Sequence, residues 1–212
     1  SLHYVLVWWF KEKIQPKARG FCGLVVYADD FVVCFQYKDE AQAFYKMLGD
    51  RMEHFGLTLE KEKSRLIEFG RFAESNRARH GEGKPETFNF LGFTHYCSTS
   101  KNGKFRVKRK TSRKKFNKKV KEMSKEIREK VIILGLPIKD IVSWMNQVLT
   151  GYFHYYGITD NSEMLSSFRF RMMQLLFKNL NRRSQKRSLN WDGFNDLLRD
   201  FPLVKGRIYV NI

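Results

Sequence analysis

Cysteine is scarce in this chain: Cys22, Cys34 and Cys97 form no C-x-x-C pair. An odd, sparse set excludes a disulfide framework or a zinc ribbon and points to a reducing, cytoplasmic compartment. The histidines are scattered without metal-ligand spacing. No apolar run approaches the roughly 18 residues of a spanning helix; residues 4–10, the most apolar stretch near the start, are too short. No secretory leader is visible. No internal repeat occurs. Acids are the minority, 22 Asp plus Glu against 40 Lys plus Arg, for a formal net charge of +18. That balance implies a polyanionic partner, nucleic acid or an acidic membrane. The missing apolar span favours nucleic acid.

What is present is enough to fold. The 212 residues are 42% hydrophobic and 15% aromatic, which excludes wholesale disorder and allows one large domain or two small ones. The charge is uneven. Residues 101–130 hold fifteen Lys/Arg and three acids. A second cluster (Arg169, Arg171, Lys178, Arg182, Arg183, Lys186 and Arg187) contains no acid. Apolar residues persist through the first basic stretch at Phe116, Val120, Met123, Ile127, Val131 and Leu134, one face of an amphipathic helix. The lysines, among them Lys114, Lys118, Lys121 and Lys125, occupy its other face, which suits a phosphate backbone.

Patterning predicts a helix over residues 2–14, ending near Gln15-Pro16. Asp39 is expected to cap a helix reaching about Phe55, with Gly56 at its C′ position. Strands are expected at Leu57–Leu59 and Arg65–Gly70, and an exposed loop over 71–87. Phe88–Cys97 reads as a tight hairpin, and Asn102-Gly103 as the turn before the next strand. Beyond residue 110 the period changes from 2 to 3.6. Helices are expected at 111–134, after Pro137 to Tyr156, from an Asp160 or Asn161 cap through Leu176, and at Trp191–Leu198. A terminal strand follows at Arg207–Val210. The expected fold is α+β: an antiparallel sheet with helices over 1–108, then an all-α basic domain over 109–212.

The sharpest motif is Tyr27-Ala28-Asp29-Asp30, between the β-prone runs Leu24–Val26 and Phe31–Phe35. Asp-Asp reads as the turn of a buried hairpin that carries two negative charges at its tip. Buried, they would need a cation. Hard oxygen donors with no His or Cys nearby favour magnesium, with manganese possible, over zinc. Cys34, inside the second strand, reads as a small core residue.

In order, these features resemble the latter part of a group II intron reverse transcriptase, the maturase family. Tyr27-Ala28-Asp29-Asp30 resembles the catalytic hairpin. Gly56-Leu57-Thr58-Leu59 with Lys63-Ser64 resembles the next palm motif, where a lysine approaches the nucleotide. Phe90-Leu91-Gly92-Phe93 resembles the primer grip. The basic helix, then Trp144, Leu149, Gly151 and Tyr152-Phe153, resembles the thumb or maturase-specific domain.

The resemblance implies a polymerase palm followed by a helical thumb, and an RNA-directed DNA polymerase with an RNA-splicing role and intron homing. Asp29 and Asp30 would be catalytic and metal-binding. Tyr27, Ala28 and Lys63 would meet the nucleotide, and Phe90, Leu91 and Gly92 the primer. Arg113, Lys114, Lys118, Lys121, Lys125, Arg169, Arg171, Arg182 and Arg183 would meet nucleic acid. The implied partners are intron RNA, an RNA template with DNA primer, and deoxynucleoside triphosphate.

Residue by residue, other readings stay open. Lys63 could be a surface lysine, Tyr27 a strand aromatic, and Gly92 either a turn glycine or a point of close approach for the primer strand. Trp144, Tyr152, Phe153 and Tyr156 read as core rather than as base-stacking platforms. The family places another aspartate on an earlier strand. Here the sole acid before Asp29 is Glu12, so the fingers and that strand are expected elsewhere, on an amino-terminal segment or another chain. Alone, the chain is expected to be inactive as a polymerase. A bacterial defence- or CRISPR-associated reverse transcriptase, or a non-catalytic RNA-binding maturase fragment, are the rival readings. No endonuclease module is recognisable.

Overall fold

The computed structural model describes residues 3–60, 62–184 and 188–212. The fold is α+β and divides into two compact units: Ser1–Leu91 with Tyr96–Val107, and Gly92–His95 with Lys108–Ile212.

The first unit opens with π-helical turns at His3–Trp8 and Phe10–Ile14 and a 3-10 turn at Gln15–Lys17. Pro16 falls early in that last turn, where its missing N–H is tolerated, so the helical path runs just past the expected stop. Strands β1 (Cys22–Tyr27) and β2 (Asp30–Phe35) form an antiparallel pair. Helix α1 (Lys38–His54) follows.

Pairing explains the core. Cys22↔Phe35, Leu24↔Val33 and Val26↔Phe31 share one face of the hairpin, and all six side chains pack with Val5, Leu6, Trp9, Phe10, Phe44, Leu48 and Met52. Phe44 is the hub. It stacks on Trp9 at 5.4 Å, meets Phe10 edge-on at 5.8 Å and lies 5.2 Å from Phe35. Arg51 fastens α1 to the first helix by donating to the Val5 carbonyl (2.6 Å) and lying over the Trp9 ring.

Several expectations change here. Tyr37, not Asp39, is the residue before α1; Asp39 lies in its first turn and pairs with Arg19. Gly56 does close the helix. Its φ is +66°, Leu57 N–H donates to Met52, and Gly56 N–H donates to Glu53, a Schellman closure. Leu57–Leu59 and Arg65–Gly70 form no strands, because neither stretch finds a ladder partner. The expected loop 71–87 contains α2 (Ala73–Arg79). Its polar sequence has no apolar period to announce it, but Glu74 in the first turn and Arg77 and Arg79 in the last suit the helix dipole. Cys34 faces outward and is exposed rather than core.

A three-stranded sheet follows in the order β3 (Phe88–Phe90), β4 (Phe93–Thr99), β5 (Phe105–Thr111). The second unit continues with α3 (Arg113–Arg128), a π turn at Glu129–Ile133, α4 (Ile138–Tyr156), α5 (Ser162–Arg183) and α6 (Trp191–Asp200). Ser112 caps α3 by accepting from Lys115 N–H. Met123, Ile127 and Val131 are fully buried against Ile141, Met145 and Leu149 of α4 and Leu165, Phe168, Met172 and Leu176 of α5. Tyr152 stacks on Phe168 at 3.8 Å, and burial pushes its hydroxyl pKa up. Leu134 leaves this face and is exposed. The π turn before it adds a residue per turn and rotates the stripe away.

Asn161 precedes α5 without capping it. Its buried amide instead accepts from Thr111 N–H (2.8 Å) and donates to the Thr111 hydroxyl (2.9 Å) and the Tyr156 carbonyl (2.8 Å). The predicted strand at 207–210 is reduced to an isolated parallel bridge between Ile158 and Val210. No described helix is long and apolar enough to cross a membrane.

Candidate catalytic hairpin and nucleic-acid faces

The β1–β2 register moves the turn by one residue. Tyr27 pairs with Asp30, so Ala28 and Asp29 form the turn and Asp30 opens β2. Ala28 takes φ +51° to make it. Cross-strand partners share a face, so Asp30 and Tyr27 project together on the side opposite the core, with Val25 and Val32 behind them. Tyr27 is 63% exposed and both aspartates are exposed. The expectation of a buried hairpin tip is therefore corrected: one face of the hairpin is buried, and its tip stands in solvent. Burial creates no demand for a counter-ion here. What favours a cation is the donor chemistry, two adjacent hard carboxylates. Among the described residues no group of three or more His, Cys, Asp or Glu is placed to hold a metal. The carboxylates thus fit a divalent ion as one side of a site.

Lys63 lies in a turn built by Glu60, whose carbonyl accepts from Lys63 and Ser64 N–H. Its ammonium pairs with the Glu60 carboxylate at 2.6 Å. Hydrogen bonding to Glu60 raises the lysine pKa first, Glu60's charge second, and Asp30's charge adds to it. Glu60 is a partner that sequence spacing did not reveal.

The β3–β4 turn consists of Leu91 (φ +52°) and Gly92 (φ +79°), the paired left-handed geometry of a tight hairpin. Gly92 and Phe93 belong to the second unit with α4. A Cβ on Gly92 would stand 3.0 Å from the Tyr156 hydroxyl. The turn reading of this glycine holds, and the side chain that a Cβ would meet is the protein's own Tyr156. Its carbonyl also accepts from Ser112 N–H at 2.8 Å.

On α3, Arg113, Lys114, Lys118, Lys121 and Lys125 are all exposed. Residues 114, 118, 121 and 125 recur at 4-3-4 spacing and so share a face, opposite Met123 and Ile127. The second basic cluster divides. Arg169 is committed to structure, its guanidinium donating to the Leu203 and Val204 carbonyls at 3.1–3.4 Å. Arg183 donates to the Leu136 carbonyl at 2.8 Å. Arg171 bonds Gln174, and Arg182 is exposed. Lys186 and Arg187 lie outside the described residues. Trp144 is partly buried beneath the Lys130 ammonium, 4.7 Å from its ring centre.

Residues 6–95 match the family model described as reverse transcriptase (RNA-dependent DNA polymerase). Residues 113–194 match that of the group II intron maturase-specific domain. Neither curated proteins nor solved structures yield a match. The two family matches, in this order, take in the aspartate hairpin and the basic helical unit. The chain belongs to the group II intron reverse transcriptase and maturase family.

Proposed function

We propose that Asp29 and Asp30 are the metal-binding carboxylates of the polymerase, and that the second unit binds RNA for both splicing and copying. The observation that carries this is the hairpin register. It sets Asp30 beside Tyr27 on the uncovered face and Asp29 in the turn, inside the span matched by the polymerase family. A magnesium ion held there, or manganese, would act as a Lewis acid toward the primer hydroxyl and the nucleotide phosphates. The chain's own parts bind and orient. Tyr27 and Ala28 shape the floor under the nucleotide, and Lys63 offers a cation to its phosphates. Phe90, Leu91 and Gly92 support the primer end. The α3 face, with Arg171 and Arg182, follows the RNA backbone.

Two-metal phosphoryl transfer needs carboxylates on both sides of the ions. Asp29 and Asp30 supply one side, so residues 1–212 alone should bind metal weakly and fail to extend a primer. Robust extension by this chain alone would show that another acid completes the site. The maturase-specific match favours the intron family over defence-associated relatives. Intron homing and a cytoplasmic location, suggested by three unpaired cysteines, belong to this reading.

The direct test is Asp29→Ala in the full-length protein. Primer extension should fall at least about a hundredfold, the scale on which single transition-state electrostatic groups act, while RNA affinity stays unchanged. Extension at the wild-type rate would remove Asp29 from the site.

A further inference from the structure

Two adjacent tyrosines of α4 lie against Gly92 and Phe93. Tyr156 is half-buried, with its hydroxyl against Gly92 and its ring edge-on to Phe93 at 5.2 Å. Tyr155 lies parallel to Phe93, with ring centres 6.0 Å apart and planes 11° from each other, yet it is 56% exposed. It is the one large hydrophobic side chain of α4 among the exposed ones. A solitary exposed tyrosine needs no explanation. Its place does invite one. Phe93 follows the tip residue Gly92 directly, and contacts with Phe93 and with Tyr156 (4.8 Å, edge-on) hold the Tyr155 ring while leaving much of it in solvent. A ring held this way loses little further freedom when a base stacks on it. Every base has a π-face, so such a contact tolerates any sequence, as a general polymerase requires.

We propose that Tyr155 is a stacking contact for a nucleotide of the DNA primer strand beside Gly92. This rests on the reading of Gly92 as primer support and adds a residue from α4 of the same unit. Tyr155 takes no part in the chemistry; it fixes where the strand lies.

The test uses the full-length polymerase, an RNA template, and a DNA primer with 2-aminopurine near its 3′ end. Stacking on Tyr155 should quench the probe. Tyr155→Leu, and Tyr155→Gln as a second non-aromatic variant, should weaken primer binding about five- to twentyfold, within the range of single base–aromatic stacks. Both should relieve the quench, and Tyr155→Phe should preserve it. The thermal melt and the affinity for RNA alone should stay at wild-type values. Wild-type primer affinity and quenching in both non-aromatic variants would overturn the proposal. Leu91→Gly, which suits the local φ and removes the tip side chain, separates the two levels. If it weakens primer binding while the Tyr155 variants do not, only the Tyr155 assignment falls. If no variant has any effect, the primer-support reading falls as well.

Discussion

The two units solve the problem of stability differently. The first gathers a small aromatic core around Phe44 and leaves the face that bears Asp30 and Tyr27 uncovered. Residues 57–72 pass through it with no regular secondary structure among those described. The second unit interlocks α3, α4 and α5 around a larger continuous core and carries most of the positive charge on its outside. The contrast separates roles. Under the proposed function, chemistry falls to an open, lightly supported hairpin, while charge rides on a helical body. A surface that holds many like charges needs a strong core to oppose its self-repulsion.

The largest test of this contrast is Phe168→Ala. Phe168 is fully buried and stacked on Tyr152, and its loss should destabilise the second unit by about 3–5 kcal/mol. Hydrogen exchange should register the loss in α3–α5 and leave α1 largely protected. Equal loss in α1 would mean that the units unfold as one block, and the comparison would fail.

Next in size is the α3 face. Changing Lys114, Lys118, Lys121 and Lys125 together to Gln should lower the slope of log RNA affinity against log salt by about three. The melting temperature should hold, because Met123 and Ile127 secure the opposite face. An unchanged slope would leave these lysines merely solvated and move the RNA path to Arg171 and Arg182.

The smallest effect sharpens the division within the basic cluster. Arg169→Gln should destabilise the 202–204 segment by about 1–2 kcal/mol through lost charge-assisted hydrogen bonds, with little change in salt slope. Arg182→Gln should do the reverse, lowering the slope by roughly 0.7–0.9 without affecting the melt. Identical behaviour of the two would deny that Arg169 is structural.

Much of this was legible in the residues. The helical period beyond residue 110 marked Met123, Ile127 and Val131 as core because all three repeat on one face of a single helix. Glycine in Leu91-Gly92 and at Gly56 announced the left-handed turns. Three of the misses share a cause: each depended on a partner distant in sequence. Leu57–Leu59 has strand composition but no neighbouring strand. Arg169 looks like any surface arginine until Leu203 and Val204 fold back onto it. Asn161 reads as a helix cap, yet Thr111 claims its amide. The exposure of the Asp29–Asp30 tip was hidden because apolar flanks on both strands suggest burial, whereas only alternate residues face inward.

The Asn161–Thr111 clasp has a rotational consequence. It holds the backbone at the last residue of β5, two positions before α3 begins, and so sets the angular phase of every lysine that follows. One residue inserted between Ser112 and Arg113 would advance the helix by about 100°, presenting Lys114, Lys118, Lys121 and Lys125 to a new direction or driving Met123 and Ile127 out of the core. The cationic stripe is therefore aimed by a buried amide that carries no charge and lies outside the stripe itself.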